Sequence, residues 1–353
     1  MKFKLAILER DQNYLNRIVN VFSTKYADKC QIYSFTDMEM ALATLETEKI
    51  EVLVASDVFE INVKKLPKRC GFAYFVDSAD VETINDQPAI CKFQKADLIY
   101  KQILSIYSEN AGKISGLKLG NDSSKILFFQ AVSGGAGASS MAAACAMRYA
   151  AKGKKTLYLN LERFGSANVF FHAEGQFNMS DLIFALKSNK ANMAMKLESY
   201  VKQAENGVFF YDQAENALDV MELKVDDIKT LISKLQVAGS YEYIIVDMDF
   251  SLSTDALRLY RDGHTIVWVA DGSEISNMKL DRAFKAISTR EEHADSPLTN
   301  RLALIYNKFS NKTCKMLADI GIRFIGGVPR FEHATSIQVL EQLSKNDMFD
   351  KIM

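Results

Sequence analysis

The sequence has few of the residues that build disulfide frameworks and metal centres. Its 353 residues include five scattered cysteines with no Cys-x-x-Cys pair, and four histidines that share no ligand spacing. An odd number of isolated cysteines predicts reduced thiols in a cytoplasmic protein. The histidines predict no metal site of their own.

Long apolar runs and an excess of charge are absent as well. No apolar run approaches the ~18 residues of a transmembrane helix, and the first eleven residues lack the pattern of a secretory signal. The chain has 43 basic and 44 acidic residues, a net charge of −1. This balance predicts no strong binding to nucleic acid. A hydrophobic content of 48% and a charged content of 25% are those of an ordinary globular protein.

What is present are two series of short apolar runs, enough for two α/β domains. In residues 1–107, apolar runs alternate with amphipathic stretches, which predicts a small doubly wound sheet with intervening helices. The runs occupy 4–8, 31–35, 51–55, 72–76 and 89–93. Residues 108–124 are polar and contain glycine, so we predict a linker there. Residues 125–353 form the second predicted domain, and the predicted fold class is α/β with two doubly wound parallel-sheet domains.

A glycine-rich loop opens the second domain. Residues 132–140 read Val-Ser-Gly-Gly-Ala-Gly-Ala-Ser-Ser, between an apolar run at 125–132 and strong helix formers at 139–151. A strand, a glycine loop and a helix in this order direct backbone N–H groups and the helix dipole at an anion. The pattern predicts a phosphate-binding loop in which Ser139 supplies a hydroxyl to magnesium. The alternative is a flexible turn.

Further strands follow, and several end in polar residues. The predicted strands are 156–165, 241–250, 265–271, 301–309 and 322–330. Asp247 follows a hydrophobic run, as does the Walker B aspartate that binds magnesium in P-loop proteins. An aspartate at this position is also common as a helix cap. In a parallel sheet these strand ends lie at the edge that carries the loop, where ligands bind.

Together these elements resemble the ParA/MinD superfamily of deviant Walker A ATPases, over residues 124–353. The family pattern Lys-Gly-Gly-x-Gly-Lys-[Ser/Thr]-[Ser/Thr] is matched by Ser133, Gly134, Gly135, Ala136, Gly137, Ala138, Ser139 and Ser140. The resemblance implies that these residues bind ATP and that Ser139 and Asp247 bind Mg²⁺. It also implies a base pocket of Asn307 and Pro329, and a water-orienting role for Glu162 in Asn160-Leu161-Glu162, where the family has Asp-x-Asp.

Both lysines of that pattern are missing, replaced by Ser133 and Ala138. Each lysine normally makes a charge-assisted contact of about 1.5–3 kcal/mol. Losing both weakens phosphate binding by about two to four orders of magnitude. Hydrolysis is expected to suffer more, because the lysine charge acts most strongly in the transition state. Arg163 and Lys308 are the candidates for replacing part of this charge.

The first domain resembles a response-regulator receiver domain in which residues needed for phosphorylation are replaced. The acidic pair after the first strand is represented by Glu9-Arg10-Asp11. Ser56 stands at the phosphoacceptor position with Asp57 one residue later, and Lys92 corresponds to the receiver lysine. Since aspartyl phosphorylation needs converging carboxylates around a cation, we predict a degenerate protein-docking module. The alternative is that these are ordinary polar residues at strand ends.

The order of the two domains resembles the TadZ/CpaE branch of this superfamily. The resemblance implies a localisation factor for tight-adherence (Flp) pili, a cytoplasmic homodimer that joins pilus or secretion assembly proteins at the cell pole. The rival hypotheses are an active MinD/ParA-type ATPase that positions division, flagellar or chromosome machinery, and a phosphorelay receiver. A MinD-type ATPase needs a membrane-binding tail, but the charges of 336–353 are balanced. We therefore predict that this tail packs on its own core, with at most peripheral membrane contact.

Overall fold

The computed structural model describes residues 2–110, 124–188, 192–317 and 320–353. The chain divides into two compact units, residues 1–118 with 187–200, and residues 119–186 with 201–353. Most of the predicted linker at 108–124 lies outside the described residues. The predicted domain boundaries stay predictions.

The first unit is built on a parallel sheet with strand order β2-β1-β3-β4-β6-β5, in which only β5 runs antiparallel to its neighbour. Alternate residues of β1 enter two cores: Leu5 and Ile7 face one side, and Ala6 and Leu8 the other. This period of two makes the sheet doubly wound. The elements are β1 Phe3–Leu8, α1 Gln12–Lys25, β2 Cys30–Phe35, α2 Met38–Thr47, β3 Val52–Ser56, β4 Gly71–Val76, β5 Thr83–Ile84, β6 Gln87–Cys91 and α3 Ala96–Asn110.

Two connections of this sheet differ from the prediction of intervening helices. Residues 57–70 contain one 3₁₀ turn, Val63–Lys65, and Pro67 interrupts the segment soon after it. Between β4 and β6 the chain forms the short β5–β6 hairpin, with φ of +49° at Asn85 and +61° at Asp86. Two consecutive positive φ values are typical of a two-residue hairpin turn. The prediction of helices at these two connections is therefore wrong.

The second unit contains an eight-stranded sheet of order β14-β13-β12-β7-β11-β8-β10-β9. Its pairs are parallel except for β9 and β10, a hairpin of two-residue strands too short to show a sequence period. From β7 to the last helix, the elements of the chain in sequence order are β7 Lys125–Gln130, α4 Ala138–Ala151, β8 Thr156–Asn160, α5 Ala167–Phe170, α6 Met179–Lys187, α7 Met193–Tyr200, β9 Lys202–Gln203, β10 Phe209–Phe210, α8 Ala217–Met221, α9 Val225–Gly239, β11 Tyr243–Asp247, α10 Thr254–Tyr260, β12 Thr265–Ala270, α11 Glu274–Glu291, β13 Leu302–Phe309, β14 Arg323–Pro329 and α12 Ser336–Ser344.

The C-terminal segment packs on the helix that follows the glycine loop. Leu340, Leu343, Phe349 and Ile352 are buried in the same core as α4, whereas Ile337 is exposed. This burial agrees with the prediction that the tail packs on its own domain. Within the described residues, no helix is both long and apolar enough to cross a membrane.

Helix α7 follows α6 in the sequence but is grouped with the first unit. The Nζ atom of Lys196 lies 2.9 Å from Glu109 Oε1 and 3.1 Å from the Tyr200 hydroxyl, and its side chain is 1% exposed. Met195 packs against the apolar core beneath α3. The chain consequently crosses between the two units three times.

Candidate functional site

The glycine loop joins β7, a central strand, to the fourteen-residue helix α4. Gly135 and Gly137 have φ of +80° and +87°, a left-handed region that favours glycine. A Cβ atom at Gly137 would lie 2.4 Å from Asn307 Nδ2. The sequence therefore has glycine where the backbone is left-handed and, at Gly137, where Asn307 approaches it closely. The N–H groups in the first turn of α4 lack partners within the helix.

The two positions that lack lysine face the protein interior. Ser133 is 8% exposed and its Oγ atom lies 2.9 Å from the Oγ atom of Ser276, near the start of α11. Ala138 is 9% exposed, and its methyl group belongs to the apolar core around α4. Neither position carries a charge into the loop.

Asn307 and Lys308, at the end of β13, hold two consecutive carbonyl groups of the loop. Asn307 Nδ2 donates to the Ala136 carbonyl at 2.8 Å, and Lys308 Nζ donates to the Gly135 carbonyl at 2.7 Å. The backbone N–H of Lys308 in turn donates to Asn307 Oδ1 at 2.9 Å. The residue predicted to contact the base thus has both atoms of its amide engaged with the chain itself.

Asp247 ends β11, next to the loop strand, and is fully buried. Its Oδ2 atom accepts from the Tyr158 hydroxyl at 2.7 Å and from Asn160 Nδ2 at 3.0 Å, while Oδ1 has no hydrogen-bond partner. Burial and the charge of Glu162 raise the pKa of Asp247 well above its usual range, against the opposing effect of the Tyr158 and Ser139 side chains. A buried carboxylate oxygen without a donor suits a proton or a hard cation. The unpartnered Oδ1 atom of Asp247 therefore fits its predicted role as a ligand of Mg²⁺.

Glu162 lies just beyond β8 and is linked to Asp247 through Asn160. Asn160 Nδ2 donates to Glu162 Oε2 at 3.3 Å, and the Glu162 backbone N–H donates to Asn160 Oδ1 at 3.2 Å. A cavity of about 260 Å³ opens beside Asn160 and Glu162 and is also lined by Phe164 and Tyr211. Glu162 can therefore meet water or a ligand while its orientation is fixed by Asn160.

Two other predicted residues lie further from the loop or are engaged elsewhere. Pro329 is exposed at the end of β14, and β13 and β12 separate that strand from β7. The Arg163 side chain forms an exposed ion pair, with Nε 2.9 Å from Asp249 Oδ2. Lys308 is therefore the candidate cation that the structure brings to the loop.

In the first unit, the residues at the receiver-like strand ends form an ion-pair cluster. Lys92 Nζ lies 3.0 Å from Glu9 Oε2, 3.2 Å from Asp77 Oδ1 and 3.4 Å from Ser56 Oγ. Burial lowers the pKa of Lys92, but hydrogen bonds and charges from Glu9 and Asp77 outweigh it and raise the pKa overall. The Ser56 hydroxyl thus accepts from a cation that two carboxylates already neutralise.

Asp11 and Asp57, two acidic residues predicted for the receiver site, do not join the Lys92 cluster. Asp11 caps α1 by accepting from the N–H groups of Asn13 and Tyr14, and Asp57 is exposed. Among the residues that the structure describes, no group of three His, Cys, Asp or Glu side chains is placed to hold a metal. The cluster lacks the carboxylate arrangement that a metal-assisted aspartyl phosphate requires.

Sequence reasoning missed Tyr158 and Ser276 and could not place Lys308. Tyr158 precedes Asn160 by two residues on the same strand, so the period of two puts both side chains on one face. That spacing could have identified Tyr158. The contacts of Ser276 and Lys308 join positions more than 140 residues apart in the chain, and no local signal exists for them.

Residues 1–108 match the family described as TadZ-like, receiver domain. The chain carries a TadZ-like receiver domain. No curated protein matches the chain. This domain assignment covers the part of the chain that contains the Lys92 cluster.

Solved structures resemble the second part of the chain. The ParA family ATPase from Chlorobium tepidum TLS is 18% identical with a TM-score of 0.51, over 66% of this chain and 97% of that one. MinD from Pyrococcus furiosus is 12% identical, with a TM-score of 0.48 over 65% of this chain and 99% of its own. The first likeness shows the fold alone: the second part of the chain has the fold of that ParA family ATPase. A TadZ-like receiver domain ahead of this fold fits a TadZ/CpaE-like protein, as predicted, and confirms the predicted fold class.

Proposed function

We propose that this protein is an ATP-binding localisation and assembly factor for tight-adherence (Flp) type pili or a related secretion system. It acts as a cytoplasmic homodimer that nucleotide stabilises, and it joins assembly proteins at the cell pole. The observation that carries this proposal is the TadZ-like receiver domain joined to a P-loop fold whose glycine loop keeps its left-handed conformation without either lysine.

Nucleotide binding uses the loop and the edges of the neighbouring strands. The backbone N–H groups of residues 133–140 bind the phosphates, with Gly134, Gly135 and Gly137 admitting the close approach. Ser139 and Asp247 hold Mg²⁺, which when bound neutralises phosphate charge. Asn307 and Pro329 form the base pocket. The unpartnered Oδ1 atom of Asp247 supports the magnesium assignment.

Hydrolysis is weak or absent in this proposal. Ser133 and Ala138 are buried and uncharged, so the loop contributes no lysine to the charge that builds up during phosphoryl transfer. Glu162 orients an attacking water if turnover occurs, since its carboxylate borders the cavity beside Asn160. Binding without efficient turnover suits a factor that marks a place and recruits partners.

Calorimetry with Mg-ATP tests the proposal. We expect wild-type protein to bind with a Kd of about 1 mM or below, and Ser139→Ala to weaken binding by about tenfold only when magnesium is present. Ser233→Ala, at an exposed serine of α9, is the matched control and should leave the affinity unchanged. Failure of the wild type to bind Mg-ATP at millimolar concentration would remove the proposal.

Sedimentation of the same protein tests the dimer. We expect ATP with magnesium to shift the protein from monomer toward dimer, and Ser139→Ala to require more ATP for the same shift. A sedimentation coefficient that is independent of ATP while calorimetry shows binding would contradict the nucleotide-stabilised dimer but leave nucleotide binding intact.

A further inference from the structure

Lys308 contacts the glycine loop, which carries no lysine of its own. We infer that Lys308 is a nucleotide-binding residue, which supplies from the end of β13 the positive charge that Ser133 and Ala138 do not. The inference rests on the proposed function, because it assigns a role at the same nucleotide site.

The first support is the position of the ammonium group. Lys308 Nζ lies 2.7 Å from the Gly135 carbonyl oxygen, in the middle of the loop. A lysine ammonium has three N–H donors, and this contact uses one. The ammonium charge is therefore held at the loop, and two of its N–H donors are not used by this contact.

The second support is that the charge is not neutralised. The Gly135 oxygen is an uncharged acceptor, and within the described part of the chain Lys308 forms no ion pair with a carboxylate. Its position at the loop is within the Debye length of about 8 Å at physiological ionic strength, so its attraction for a polyphosphate bound there is only partly screened. That attraction grows with the number of phosphate charges.

The third support is that Lys308 is fixed by its surroundings. Its φ is +57°, an uncommon conformation for a residue with a side chain, and its N–H donates to Asn307 Oδ1. Asn307 is itself held by the Ala136 carbonyl and approaches Gly137 so closely that no Cβ fits there. Contacts with neighbouring residues can hold a residue in such an unfavourable backbone conformation. Residues of this kind are common at ligand sites.

An independent observation indicates a ligand at the same loop. The Oδ1 atom of Asp247, at the end of the strand next to β7, is buried without a hydrogen-bond donor. Among the residues that the structure describes, this carboxylate oxygen has no cation partner and Lys308 has no anionic partner. A magnesium–nucleotide complex supplies both.

Calorimetry with a series of nucleotides separates a charge role from a purely structural one. We expect Lys308→Met, which keeps most of the aliphatic stem, to weaken ATP binding by tenfold or more, ADP binding by less, and AMP binding little. Lys308→Arg should restore most of the ATP affinity. Lys312→Met, at an exposed lysine in the following turn, is the matched control and should change none of the affinities.

The possible outcomes are distinct. An equal loss for ATP, ADP and AMP would show that Lys308 only braces the loop, and an unchanged ATP affinity would show that it has no role in binding; either overturns the inference. If wild-type protein binds no nucleotide, the proposed function itself fails. Circular dichroism melting of each variant identifies any loss of binding that is due to misfolding.

Discussion

Each unit of the molecule has a lysine where parallel strands end, and the two lysines have different partners. In the first unit, Lys92 lies against Glu9 and Asp77 and is 10% exposed. In the second unit, Lys308 is exposed and donates to a backbone carbonyl. The charge of Lys92 is neutralised by these carboxylates, whereas Lys308 has no carboxylate partner among the described residues.

The difference between the partners of Lys92 and Lys308 shows how a site that lacks part of its predicted motif can be interpreted. A buried cation whose charge is matched by carboxylates contributes to the structure and has little left with which to bind a ligand. A cation on a neutral carbonyl has no carboxylate to neutralise it, so its attraction for an anion remains. The charge of Lys92 is therefore neutralised within the first unit, whereas the charge of Lys308 is not, which is why we propose that the glycine loop binds a ligand.

The largest effect on stability is expected from removing Lys92, the cation that carboxylates neutralise. Lys92→Met leaves the 2%-exposed Glu9 without its main partner, so we expect it to lower the free energy of unfolding by about 3 kcal/mol in urea titrations. Glu9→Gln combined with Lys92→Met should recover much of that loss. Lys25→Met breaks an ion pair whose partners are 55% and 54% exposed and should cost less than about 1 kcal/mol. Equal costs for Lys92→Met and Lys25→Met would abolish the contrast between the two units.

An intermediate effect is expected in the loop. Gly137→Ala places a Cβ atom 2.4 Å from Asn307 Nδ2 at a φ of +87°, so we expect a loss of about 2 kcal/mol. Gly134→Ala meets nothing within 4 Å and should change stability by less than about 0.5 kcal/mol. The single tryptophan, Trp268, is buried in β12, so its fluorescence follows unfolding of this unit. If the two variants melt alike, the loop is not held by Asn307.

The smallest effect is expected from an ion-pair group at the other end of α4. Arg148 and Lys152 lower the pKa of Asp350 to about 2. Because this carboxyl is more acidic in the folded state, its contribution is full above the unfolded pKa of about 3.9 and is lost as the pH falls from about 4 to about 2. Asp350→Asn should cost about 1 kcal/mol at pH 7, and the cost should vanish near pH 2. Asp347→Asn is the control; a cost for Asp350→Asn that does not depend on pH would contradict the electrostatic explanation.

The strands could be predicted from the sequence because both units bury parallel sheets on two faces. Such strands form continuous apolar runs, and each predicted run overlaps an observed strand. The hairpin of β9 and β10 escaped prediction because its strands are two residues long. At the candidate site, Asp247 was identified by its place after an apolar run. Its partner Tyr158 and the contact of Lys308 with Gly135 depend on the folded arrangement of separate strands.

The placement of α7 bears on how such a protein can be inherited. The match to the TadZ-like receiver domain stops at residue 108, but the unit around it includes a helix encoded some 80 residues further along the gene. Exchange of residues 1–110 alone, by recombination or by gene fusion, would leave the buried Lys196 without the acceptor Glu109. Residues 1–110 therefore do not contain the whole of the first unit, and a gene fragment that ends there would lack α7.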